Sequence, residues 1–280
     1  MTAPAWQPTS CLASGAHPLA TFPNAYSSSL PAQGSPAGRE LPAPGASWSS
    51  PCLSAPLDEL RRAVLEEDWE RNFCEGQTKI HMRAEWSASP ERCSLLQWLV
   101  SINRVRRALE VGSFCGAAAL AMAEALPDEG EVHALELDRF VVDFSRRFWM
   151  RSLHGRKIRH SVGAAMDSLR LLAAEARSGR LQPFDLAVVD ADKESMAKYF
   201  DLLWKSPGVL SKDAVVCVDM TPFKGQPPVR YVKYGFPHRW QSSSGKDEID
   251  KFRNIVMGSN EFEAHEFGGL LIVQRARGQK

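Results

Sequence analysis

The chain has 280 residues, with 34 Lys and Arg against 33 Asp and Glu and a formal net charge of +1. That balance gives neither nucleic acid nor an anionic membrane surface an electrostatic reason to bind, so neither is an expected partner. No apolar run approaches the ~20 residues needed to cross a bilayer. The six cysteines form no CxxC pair, which argues against a disulfide framework or structural zinc and for a reducing compartment, the cytoplasm first.

Residues 1–56 are dense in Pro, Ala, Ser and Gly, with Arg39 and Glu40 as the only charged side chains. Such a segment holds too little patterned apolar surface to offset the entropy of ordering it, and we read it as a disordered extension. Being Ser-rich and acid-poor, it also fits an organelle-targeting peptide, although those usually carry more arginine. Residues 57–277 read as one folded domain. Apolar residues at helical spacing begin at Leu57, and a second helix follows Pro90, with Leu95, Leu96, Trp98, Leu99 and Ile102 repeating every three or four positions.

Strand and helix then alternate. Arg107 to Val111 is a short strand, followed by a glycine turn and an alanine-rich helix through Leu126. Val132 to Leu137 is the second strand, with a helix over Phe140 to Met150. Lys157 to Val162 is the third, with a helix over Met166 to Ala176. Phe184 to Asp190 is nearly all apolar, as a strand buried on both faces should be. A helix over Ser195 to Trp204 and a strand over Ala214 to Asp219 follow, and Glu261 to Phe267 with Gly269 to Gln274 closes the chain as a hairpin. Repeated βαβ units predict a doubly wound, mostly parallel α/β sheet of Rossmann-like type with helices on both faces.

Ligands of such sheets bind beyond the carboxyl ends of the strands, beside the point where strand order reverses. After the first strand the chain reads Glu110-Val111-Gly112-Ser113-Phe114-Cys115-Gly116. Gly112 and Gly116 permit a tight turn and close backbone approach to a ligand. Phe114 stands where a dinucleotide fingerprint needs its second glycine, which weighs against a nicotinamide cofactor. An acid ahead of GxxxG suits a cofactor with a cationic amino-acid end and no phosphate. Glu136, ending the second strand, can accept both hydroxyls of a ribose. Asp190 and Asp219 end the fourth and fifth strands and together could hold a hard divalent cation. Lys193 follows as a candidate general base; the plainer reading makes Asp190 a helix cap and leaves Lys193 in solvent. Cys115, His133, Trp149, Trp204 and Trp240 are read as packing or rim residues.

From about Ser87 to Arg275 the chain resembles the cation-dependent small-molecule O-methyltransferases, the group of catechol and caffeoyl-CoA O-methyltransferases. LEVGSFCG is similar to its cofactor motif, VHALELD to its ribose-binding strand, and FDLAVVDADK to its metal and catalytic motif. The resemblance implies S-adenosylmethionine as methyl donor. Glu110, Gly112, Ser113, Phe114 and Gly116 would line its amino-acid end, Glu136 and Leu137 its ribose, and Gly163, Ala164 and Ala165 its adenine. Residues Trp86 to Ala88 would close over it. Asp190 would touch both cofactor and metal, Asp219 would be a second ligand of Mg²⁺ or another divalent cation, and Lys193 the base. The family usually has asparagine as third ligand after the strand-five aspartate; this chain has Met220, a soft thioether that binds Mg²⁺ poorly. A metal-independent methyltransferase and a non-catalytic cofactor-binding protein therefore stay open as alternatives. Residues 222–228 are expected to form a loop over the pocket of a small-molecule, phenol-like or catechol-like acceptor, and relatives in the group are often homodimers.

Overall fold

The computed structural model describes residues 53–222 and 245–276. The expected extension up to residue 52, Trp240 and most of the expected acceptor loop lie outside the described residues. Before the first strand come helices α1 (Ala55–Glu66), α2 (Trp69–Cys74) and α3 (Pro90–Ile102). Helix α1 opens at Ala55, two residues ahead of the expected boundary, because the Ser54 side chain accepts from the Leu57 N–H and Pro56 sits in the first turn. Ser89 caps α3 in the same way through the Arg92 N–H, with Pro90 as its first residue. The short helix α2, capped by Asp68, carries too few residues for a periodicity signal and was not legible in the pattern.

Seven strands follow among the described residues: β1 (Arg107–Val111), β2 (Glu131–Glu136), β3 (Ile158–Val162), β4 (Phe184–Val189), β5 (Leu210–Asp219), β6 (Phe262–Phe267) and β7 (Leu270–Arg275). They form one sheet in the order β3-β2-β1-β4-β5-β7-β6. The first five are parallel, and β7 runs antiparallel to both β5 and β6. Gly268 and Gly269 join β6 to β7 with φ of 59° and 75°, the left-handed pair that a two-residue hairpin turn demands. Helices α4 (Ala117–Ala125), α5 (Arg139–Trp149), α6 (Ala165–Arg177) and α7 (Met196–Lys205) are the crossovers; α8 (Lys246–Met257) precedes the hairpin and was not anticipated.

Alternation along the central strands sorts side chains to the two faces. Leu109, Val111, Ala187, Val189, Val216 and Val218 join one core, with residues of α6, α7 and α8. Ala108, Leu186, Val188, Val215 and Cys217 join the other, against α3 and α4. Met220 extends the first series and is buried in that core, 4% exposed. Asp219, one residue earlier, belongs to the opposite face, beneath α3. A third cluster gathers α1, α2 and α5 around Trp69 and Trp149, and it encloses Cys115.

Candidate active site

Strand order reverses between β1 and β4, and the carboxyl ends of both open into a cleft of about 730 Å³. The floor is the glycine bend. Gly112 has φ of +86°, and a Cβ there would lie 2.3 Å from the Asp190 carbonyl oxygen. Gly116 has φ of +70° and turns against the Trp149 ring, where a Cβ would come within 2.5 Å. Both positions need glycine for conformation and for space. Phe114 also adopts a left-handed φ, +47°. Its ring packs against Trp69 at 5.2 Å and Trp86 at 6.1 Å between centroids, which holds a conformation costly for a side chain with a Cβ.

Glu110 and Glu136 meet at this floor. Glu110 Oε2 and Ser113 Oγ are buried with no hydrogen-bond partner among the described residues. Burial, then Asp190, then Glu136 push the Glu110 carboxyl well above its ordinary range. An orphaned buried acid of this kind awaits a cationic or hydrogen-bond-donating ligand. Glu136 accepts the Phe114 N–H at 2.7 Å and the Asp138 N–H at 3.0 Å, yet burial still pushes it up to about 7. Leu137 borders the cleft, and its carbonyl accepts from Lys79 Nζ at 2.8 Å. Gly163 donates to the Glu136 carbonyl at 2.8 Å, which sets the Ala164–Ala165 start of α6 beside the β2 end. Trp86, Ser87 and Ala88 line the cleft from the segment before α3.

The second half of the cleft is a cluster of four charges. Lys193 is 3% exposed in its side chain and donates from Nζ to Asp219 Oδ2 at 2.7 Å and to the Asp219 carbonyl at 3.0 Å. Solvent is therefore not where Lys193 lies. Gly245, at the head of α8, packs on its stem so closely that a Cβ would be 2.7 Å from Lys193 Cβ. Asp190 opens into the cleft with its side chain 40% exposed, and Oδ1 lies 3.7 Å from Lys193 Nζ. It does not cap α7, whose N-cap is Ser195 with no side-chain cap; Asp192 braces the turn before that helix, accepting from the Ser195 N–H at 2.9 Å and from the Tyr199 hydroxyl at 2.5 Å. The fourth charge, Arg92 from the first turn of α3, escaped the sequence reading. Its Nη2 donates to Asp219 Oδ1 at 2.8 Å and to the Gly268 carbonyl at 3.2 Å, and its Nη1 stands 3.9 Å from Asp190 Oδ2. A clue was present: a cation in the first turn opposes the helix dipole, so its placement there calls for another reason. Enclosure and the neighbouring Asp219 raise the Asp190 carboxyl, whereas Lys193 and Arg92 outweigh burial and lower that of Asp219.

The glycine bend, Glu110, Ser113 and Glu136 fit S-adenosylmethionine: an unpaired acid and hydroxyl, a second strand-end acid, and a floor cleared of side chains. The cluster does not fit a divalent cation. Asp219 spends Oδ1 on Arg92 and Thr221 Oγ1 and Oδ2 on Lys193 and the Thr221 N–H, which fills the lone-pair directions of a carboxylate. Met220, at the expected third ligand position, points into the core on the other face. Among the described residues no group of three His, Cys, Asp or Glu could hold a metal ion.

The fold and the cleft define a doubly wound α/β protein with a cleft at its switch point, bordered by the strand-end acids Glu110 and Glu136. The family model described as O-methyltransferase matches residues 66–227, more than half of the chain, and the chain belongs to that family. Tricin synthase 1 of Oryza sativa subsp. japonica is 36% identical over 127 residues, 45% of this chain and 50% of that protein. The catechol O-methyltransferase domain-containing protein 1 of Mus musculus is 36% identical over 111 residues, 40% of this chain and 41% of that one. The chain thus spans about half the length of these curated relatives. The solved O-methyltransferase TomG from Streptomyces achromogenes, in complex with S-adenosylmethionine, superposes with a TM-score of 0.60 at 22% identity, covering 80% of this chain and 91% of that one, a likeness of fold. No helix among the described residues is long and apolar enough to cross a membrane.

Proposed function

We propose that the protein transfers a methyl group from S-adenosylmethionine to a hydroxyl oxygen of a small phenol-like acceptor. The observation that carries this reading is the meeting of two groups in one cleft: the orphaned acid Glu110 with Glu136 on one side, and Lys193 with Asp190 on the other. When bound, the donor supplies an electrophilic methyl on a sulfonium; its C–S bond breaks, with the electron pair going to sulfur, as the acceptor oxygen forms the new C–O bond. Glu110 and Ser113 would receive the amino-acid end, Glu136 the ribose hydroxyls, and Ala164 with Ala165 would border the base. Leu95, Phe267 and Pro222 are among the residues lining the cleft and would suit a flat acceptor whose hydroxyl reaches the charged cluster. The hydroxyl proton would pass to the Asp190 carboxylate, with Lys193 as the positive neighbour of the oxygen left behind. Orientation supplies most of the acceleration, and well-placed reactants gain about 7–11 kcal/mol over a chance encounter.

Lys193→Met tests the assignment. Turnover across a panel of phenols, followed by mass spectrometry, should collapse by roughly 100-fold or more. Calorimetry should find the affinity for S-adenosylmethionine little changed, because Lys193 lies on the acceptor side. Full activity in this variant, or a loss confined to cofactor binding, would remove Lys193 from the reaction.

A further inference from the structure

Four charges alternate around Asp219 and Asp190: each carboxylate faces both Arg92 and Lys193, at 2.8 and 2.7 Å for Asp219 and 3.9 and 3.7 Å for Asp190. Two acids and two bases already balance. A divalent ion entering the cluster would meet two fixed positive charges and a carboxylate with no lone pair to offer. Displacing Arg92 would also strand a guanidinium that is 14% exposed and unable to shed its proton. The arginine is not there for its own helix, since the first turn of α3 disfavours a cation. It reaches instead from α3 to the end of β5 and to the hairpin turn at Gly268.

We infer that Arg92 stands in this chain for the divalent cation of an O-methyltransferase site, so that a resident guanidinium, with Lys193 beside it, holds the ionised acceptor oxygen. The inference rests on the methyl-transfer reading above and specifies how that site is charged. A guanidinium offers a permanent charge and several N–H donors in a plane. Two of those donors are used by Asp219 and Gly268, and Nη1 is turned toward Asp190, the cluster's outlet to the cleft. A metal ion selects two adjacent acceptor oxygens by chelation; a guanidinium makes no such demand. Acceptors with a single hydroxyl should therefore serve as well as vicinal diols.

The test combines metal binding with activity on the full chain. Mn²⁺ titration followed by electron paramagnetic resonance, with and without S-adenosylmethionine, should show no stoichiometric immobilised Mn²⁺. Turnover should be unchanged by EDTA or by added Mg²⁺. Arg92→Gln should lower turnover by roughly 100-fold, the scale of losing one preorganised oxyanion donor. Arg92→Lys, which keeps the charge and guards against a mere folding defect, should recover part of it. Cofactor affinity by calorimetry should stay close to that of the parent in both variants. Stoichiometric Mn²⁺ binding by the parent chain, abolition of turnover by EDTA, or full activity in Arg92→Gln would each overturn the inference. If no acceptor were methylated at all, the methyl-transfer reading would fall, while the Mn²⁺ titration would still decide whether Arg92 excludes a metal.

Discussion

Burial and hydrogen bonding pull the Glu136 carboxyl in opposite directions, and burial wins, holding it at about 7. Between pH 4.5 and 7 the unfolded chain gives up this proton while the folded chain keeps it. Stability from this group is therefore full at low pH and is lost as pH rises through that window, by about 3 kcal/mol in all. Denaturant titrations of the ligand-free protein should show the decline, and Glu136→Gln should flatten it. A slope that persists in the variant would place its source elsewhere. Glu110, raised well above its usual range, should behave as a proton store. A cationic ligand end stabilises its ionised form, so binding of S-adenosylmethionine should release a proton, seen as a buffer-dependent calorimetric enthalpy. Glu110→Gln should abolish that dependence and weaken binding by roughly tenfold. Both acids could be singled out in the sequence because each directly ends or nearly ends an apolar strand. Arg92 left only its unfavourable place in a first helical turn as a clue, because its partner Asp219 is 127 positions away and only the fold brings them together.

At the scale of elements, the turn between β1 and α4 is the part with least freedom. Gly112→Ala would drive a methyl into the Asp190 backbone at the β4 end, at a position whose φ already disfavours any side chain. We expect a loss of about 2–4 kcal/mol in denaturant unfolding, together with loss of cofactor binding. A variant of near-parent stability that still bound the cofactor would mean that the turn is looser than its geometry. Strand β4 and the end of β5 are legible as apolar runs and β1 and β2 as short apolar stretches ending in acids or glycine, whereas β3, Ile158–Val162, carries Arg159, His160 and Ser161 and is marked mainly by its place in the βαβ alternation. Helices fared unevenly. Long, capped ones such as α3 announced themselves, whereas α2 was too short for periodicity. Met220 illustrates a finer limit: motif position suggested a ligand, and strand alternation turned the side chain to the opposite face from Asp219.

For the whole molecule, sheet order matters more than any single residue. The cleft exists only where β1 lies beside β4, and that pairing joins Ala108 to Leu186 across β2, β3 and their helices. A nascent chain emerging from the ribosome can thus complete one half of the sheet and still present only one side of the cleft until β4 arrives. Contacts so distant in sequence make for slow closure. A cofactor that recognises only the closed sheet has nothing to hold on to during the climb to the folding barrier, and it stabilises only what is already built. Stopped-flow refolding should accordingly run at the same rate with or without saturating S-adenosylmethionine, while unfolding slows. Accelerated refolding would instead mean that the β1–β4 seam has closed by the time the barrier is crossed.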